Sequence, residues 1–472
     1  MTHSIMAARR SKMICVGSSY AVVPSEPTPT GIFPVSLCDQ IKLSFHGPIL
    51  LVYKPNFTST SSHSSPIQIL KNSLSRALVH YYPLSARLCL IHGGCYELHC
   101  FAQGVELLEA TCEANLDYLR DFTPTQFVEQ LMPKIDYNRP IQHIPLLAVQ
   151  LTRFSCGGLT LGVALCRAVN DGSAVSGFLN SWAKLARGDK LGLGEMPFLD
   201  RTLLDSWRLN KEPRFIHTEF HPPPFWTGRL ADTKYEPKGS IFKISKDQVQ
   251  KLKNRAREPL GGSQQQLPYT SFEVITGHLW KCVSKARYVG NGDQPTRLST
   301  LVNCRNRLNP PLRNDYFGNA TFPTVSPTCS FGDIIHKPLS YAVRNVREAI
   351  ERINDEYIRS VLDYIAGQRD MNVMRNRFYS STVSAEGEFE GNPNLFMVGW
   401  SNFGFYETDF GWGKPVHMGP GVFDSDGKAF LMNNESGDGF LLAVCLQSSH
   451  LDALKNLFYE DLEDELAPSS KL

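Results

Sequence analysis

No apolar run in this chain approaches the roughly 20 residues that a membrane-spanning helix needs. The longest, such as "GFLLAVCL" from residue 439, stop well short. An excess of charge is missing as well. The 48 Lys+Arg residues face 46 Asp+Glu, a net of +2. That balance is too near neutral to suggest a nucleic-acid surface or an acidic partner. Cysteine is sparse, 12 in 472 residues, and scattered. The N-terminus "MTHSIMAARRSKM" has basic residues with no apolar stretch behind them, so the secretory pattern is lacking. The cysteines therefore read as reduced thiols. No short-period repeat suggests a solenoid.

The chain has 42% hydrophobic and 20% charged residues, ordinary proportions for a globular protein with a sizeable core. Its length suits two or three domains. Helical and strand patterns mix throughout. Residues 66–80 carry Ile69, Leu70, Leu74 and Leu78 at helical spacing. The runs 145–154 and 159–166 flank Gly157-Gly158 and read as a hairpin. After Asp171, the spacing of Val175, Phe178, Leu179, Trp182 and Leu185 predicts a helix, capped by Asp171 or Ser173. Prolines 222–224 exclude regular structure and mark a linker over 209–240. Strand-then-helix patterns resume beyond it, and "SSHLDALKNLFYEDL" closes the chain as a helix. The whole reads as α+β in two halves: 18–208 and 241–463. Residues 1–17 form an unstructured extension and 464–472 a tail.

Two clusters look like sites and have plainer explanations. His92, Cys95, His99 and Cys100 could offer zinc ligands, but Gly93-Gly94 reads as a turn between short strands and no second ligand pair follows. No metal is expected. The "DFG" triplet at 409–411 lacks the glycine-rich loop and the HRD loop of a kinase. The terminal Ser470-Lys471-Leu472 fits a peroxisomal import signal. The import receptor is then an expected partner and the peroxisome the expected compartment, with the cytosol as the alternative.

Several motifs in order carry a family resemblance: "VPSEPTPTG", "SLCDQI", "YYPLSARL", "RAVNDG", "NCRNRLNPPLRNDYFGN", "TDFGWGKP" and "GPGVFDSDGKAF". Together they resemble the plant BAHD acyltransferases, most closely the branch that moves hydroxycinnamoyl groups onto polyamines, quinate or shikimate. The likeness spans Ser18 to about Leu462. It implies a chloramphenicol-acetyltransferase-like α+β fold, with two domains of similar size and an active-site channel between them. It also implies a monomer, no bound cofactor, and acyl-CoA as co-substrate beside a small-molecule acceptor. In the family's His-x-x-x-Asp motif the histidine is the general base and the aspartate is structural, paired with an arginine. Asp171 matches the aspartate, with Arg305 or Arg307 as partner. Asp409, Gly411 and Gly413 match the scaffold loop.

The histidine is absent, and Arg167 holds its position in "ALCRAVNDG". A guanidinium has no acceptor lone pair and stays protonated, so it cannot take a proton from an attacking hydroxyl. The branch's Thr-Ser-Trp is here Val398-Gly399-Trp400. Valine offers the oxyanion no donor, whereas Trp400 keeps its indole N–H. Cys166, adjacent to Arg167, should face the other way on a strand and be a buried thiol. His278 and His417 are the remaining candidate bases. Three readings follow: acyl transfer without the usual base, with Arg167 polarising the thioester; a lyase or cyclase whose Arg167 clamps a carboxylate; or a non-catalytic partner of an acyl-CoA enzyme.

Overall fold

The computed structural model describes residues 13–55, 65–205, 212–227, 236–257, 268–380, 392–423, 425–460 and 462. Ser470-Lys471-Leu472, most of the N-terminal extension and part of the linker lie outside these.

Two six-stranded mixed sheets organise the chain. The first runs in the order Ile14–Val22, Val105–Cys112, Leu147–Phe154, Leu159–Cys166, His46–Tyr53, His417–Pro420. The second runs Thr321–Val325, Leu298–Asn303, Leu395–Gly399, Lys428–Asn433, Gly439–Gln447, Pro237–Ser245. The central strand Leu159–Cys166 is buried at every position, which explains why it reads as an unbroken apolar run rather than an alternating one. It pairs with Leu147–Phe154 across the Gly157-Gly158 turn.

Helices Pro66–His80 and Gly172–Ala186 pack together on the first sheet, joined at their core by the Trp182 indole N–H donating to Ser73 Oγ at 2.9 Å. Helix Ser271–Arg287 lies in the second core with Leu339–Glu351 and Ser448–Glu460. Its start is fixed locally. Thr270 and Glu273 form a reciprocal capping box, so two of the helix's orphan N–H groups are satisfied without tertiary help.

The two halves are not cut where the composition shifts. The first strand begins at Ile14, inside the stretch read as an unstructured extension. Strand Pro237–Ser245 begins inside the 209–240 linker. His417–Pro420, far along the second half, leaves its own sheet and pairs antiparallel with His46–Tyr53 at the edge of the first. Sequence order could not show this, because edge pairing depends on which strand end is exposed once both sheets have formed.

Candidate active site

The strand Leu159–Cys166 delivers the chain to a turn at 167–169, and the next helix starts at Gly172. Three of the turn's backbone groups are tied to distant parts of the chain. The Arg167 N–H donates to Phe45 O at 2.9 Å. The Arg167 carbonyl accepts from Asn319 Nδ2 at 3.0 Å. The Val169 carbonyl accepts from Arg201 Nη2 at 2.6 Å. Arg167 itself is exposed. Its Nε lies over Gly47, where a Cβ would meet it at 3.7 Å.

Asp171 is buried and caps the helix, accepting from Ala174 N at 3.0 Å. Arg305 donates to both its oxygens, Nη1 to Oδ2 at 2.8 Å and Nη2 to Oδ1 at 3.0 Å. Ala320 N adds a fourth bond at 2.8 Å. Burial disfavours the Arg305 charge, and the adjacent Asp171 more than compensates, raising its pKa overall. A carboxylate with four donors on it has no free lone pair directed at a substrate. Asp171 therefore holds the two domains and the turn together. Arg307 points elsewhere, its Nη1 donating to the carbonyls of Ile350 and Ile353.

A second buried ion pair stands beside the first, and sequence reasoning missed it. Asp39 and Arg201 are fully buried, 3.1 Å apart. Asp39 also accepts from Ser36 and from both the backbone and side-chain N–H groups of Asn319. Asp39 thus orients Arg201 and Asn319, the two residues that hold the carbonyls of the Arg167 turn. The only local sign was the spacing Ser36-x-x-Asp39, which is a capping box. Lys42 lies nearby, with Nζ donating to Thr321 O at 3.1 Å. Burial pulls its pKa down to about 8, opposed by Cys38, Asp171 and Asp39, while Arg167 lowers it further.

Trp400 is half-buried. Its backbone N–H donates to Leu431 O at 2.7 Å, and its ring packs 4.8 Å from Phe430 and 6.0 Å from Phe405. Gly399 abuts Phe272. The neighbouring segment reaches back across the domain junction: a Cβ on Gly172 would clash with the Phe403 ring. The Asp409 loop packs on the first domain, away from Arg167. Thr408 O accepts from Tyr53 Oη at 3.0 Å, Asp409 O accepts from Arg187, and Phe410 sits 4.9 Å from Trp182. Gly411 and Gly413 have φ of 104° and 103°.

The other candidates are buried and engaged elsewhere. Cys166 donates to Ser44 O, and burial pushes its thiol up to about 12. His417 pairs opposite Val52, whereas Cys166 is level with His46. That is six strand positions, about 20 Å. His417 is buried against Phe122 and held down at about 3 by desolvation. His278 is buried in the second domain, with Nε2 2.9 Å from Phe458 O. A cavity of about 700 Å³ bordered by Phe215, His221, Arg297 and Tyr357 is separate too. Arg297 immediately precedes strand Leu298–Asn303, whose far end, Asn303, reaches Ser173 Oγ beside the turn at 3.4 Å; six strand positions put Arg297 about 20 Å from it.

The sequence matches the model of the Transferase family over residues 12–461. It is 39% identical to the hydroxycinnamoyl-CoA:piscidic acid hydroxycinnamoyltransferase of Actaea racemosa, covering 95% of this chain and 100% of that protein. It is 36% identical to the shikimate O-hydroxycinnamoyltransferase of Nicotiana tabacum, covering 94% and 99%. Among solved structures, vinorine synthase superposes with a TM-score of 0.70 at 23% identity, over 94% of this chain and 98% of that one. F. graminearum TRI101 complexed with coenzyme A and T-2 mycotoxin gives 0.73 at 18%, over 90% and 97%. These two likenesses establish the two-domain fold.

Proposed function

The chain belongs to the BAHD family of acyl-CoA-dependent acyltransferases, and from that premise we propose that it transfers a hydroxycinnamoyl-type group from CoA to a hydroxyl or amine on a carboxylate-bearing acceptor. One observation carries this reading. An exposed arginine, its backbone bonded at both N–H and C=O, stands where the family resemblance puts the base. A guanidinium cannot remove the proton, but its planar fork matches a carboxylate. The acceptors named for two relatives, piscidic acid and shikimate, are themselves acids. Arg167 then orients the acceptor, and proximity to the thioester supplies much of the rate.

The test is CoA release from hydroxycinnamoyl-CoA with acidic acceptors and with their methyl esters, in the wild type and in Arg167→His. The wild type is expected to release one CoA per acylated product. Esterifying the acceptor should raise its KM about 10-fold or more, the scale of a lost charged hydrogen bond. CoA release confined to the Arg167→His variant would sink the reading. A second reading, lysis or cyclisation of an acidic substrate, rests on the same lack of an acceptor lone pair. Conversion of an acid without CoA release would favour it.

A further inference from the structure

Replacing the family's histidine by Arg167 leaves the acceptor's proton without a destination. A hydroxyl beside the same turn can receive it. His46 sits on the strand paired with Leu159–Cys166, directly opposite Cys166. Its Nε2 lies 2.9 Å from the Pro145 carbonyl. A carbonyl only accepts, so Nε2 carries the hydrogen and Nδ1 presents a lone pair. The Tyr137 hydroxyl is 3.0 Å from that Nδ1 and 3.0 Å from the His46 backbone N–H. The N–H donates to the phenol oxygen, and the phenol O–H donates to Nδ1. This leaves Tyr137 Oη one further lone pair.

The tyrosine is held where a substrate can reach it. It is 44% exposed, and the Phe45 ring meets it edge-on at 5.1 Å. The segment leading to it lies flat on the sheet because Gly162 has no Cβ to clash with the Leu131 carbonyl. Arg167 Nε lies over Gly47, the residue after His46. Its charge acts on Tyr137: burial raises the phenol's pKa, and Arg167 works in the opposite direction.

We infer that Tyr137 and His46 relay the acceptor's proton in place of the missing imidazole, an inference that rests on the acyl-transfer reading above. The acceptor's lone pair forms the new bond to the thioester carbon. Its proton passes to Tyr137 Oη while the Tyr137 hydrogen passes to His46 Nδ1. When the tetrahedral intermediate collapses, the C–S bond breaks and the leaving sulfur recovers a proton by the reverse route. Both residues end as they began. Burial holds His46 down at about 4, with the Pro145 carbonyl opposing it. The imidazole is therefore neutral and available at neutral pH, but it is a weak base. The relay belongs at the low end of the roughly 10²–10⁴-fold that a general base supplies.

The test compares wild type, Tyr137→Phe, Arg167→His and the double variant, with one acidic alcohol as acceptor and hydroxycinnamoyl-CoA as donor. Thermal melting confirms that each variant is folded. Tyr137→Phe is expected to lose about 100-fold in kcat, with the acceptor's KM unchanged. Adding Arg167→His should restore kcat, because an imidazole at 167 takes the proton directly and makes the phenol dispensable. Wild-type kcat in Tyr137→Phe overturns the relay and leaves acyl transfer standing. A loss that Arg167→His fails to rescue shows a packing role and also overturns it. Wild type that releases no CoA while Arg167→His does overturns the acyl-transfer reading, and the relay with it.

Discussion

The turn at 167–171 and the loop at 409–413 carry the two most recognisable motifs, and they are built in opposite ways. The loop closes on itself. Asp409 Oδ1 accepts from Gly411 N at 2.8 Å and from Gly413 N at 2.9 Å, within four residues. Both glycines take a positive φ, which side-chain-bearing residues resist. The turn is closed from outside. Its partners are Phe45, Arg201, Arg305, Asn319 and Ala320, drawn from across the chain. A loop made by its own residues can keep its shape wherever the fold puts it. A turn made by distant residues is placed only once both domains have docked.

Breaking the distant anchors should cost most. Arg305→Met strips the buried Asp171 of its partner. It is expected to destabilise the protein by about 3–5 kcal/mol, because an uncompensated charge remains buried. Urea unfolding of the single variant beside the Asp171→Asn/Arg305→Met pair would check this. The pair should recover part of the loss, and equal losses would mean that the charge is not what matters.

Lys42 gives a smaller, pH-dependent effect at the same junction. Its folded pKa of about 8 lies below its ordinary 10.5. Between those values the unfolded chain binds more protons than the folded one, so stability rises with pH across that window. At 1.36 kcal/mol per unit the whole change is about 3 kcal/mol. Wild-type stability measured against Lys42→Met should therefore climb from pH 8 to 10.5. A flat difference would show that the ammonium is solvated.

The local loop offers the smallest effect. Gly413 has a φ of 103° and open space where a Cβ would go. Gly413→Ala thus isolates backbone strain, about 1–2 kcal/mol. The melting temperature should fall while the kinetics at Arg167 stay as they were. A change in kcat would mean that the loop and the turn are coupled after all.

Much of the scaffold was legible in the residues. The Asp171 cap, the Gly157-Gly158 hairpin and the helix at 66–80 rest on local hydrogen bonds and periodicity, and each stands where its pattern puts it. Cys166 is a buried thiol, as alternation along its strand implies. What could not be read was who meets whom. Nothing near Asp39 announces Arg201, 162 residues on. Nothing near Tyr137 announces His46, because their bond depends on the sheet that places His46 level with Cys166. His417 looked like a candidate base and is a core residue about 20 Å along the strand.

The α+β class, the family and the arginine at position 167 were readable from the residues alone. These are properties of residue type and local order, and they need no partner to be visible. What surrounds that position follows from packing: an exposed phenol beside the arginine, and, buried, an imidazole and the two ion pairs that fix the turn. Such groups are hydrogen-bonded because burial makes an unpaired polar atom costly. Which partner meets that requirement is settled by how the two sheets pack, and no stretch of chain can state it alone.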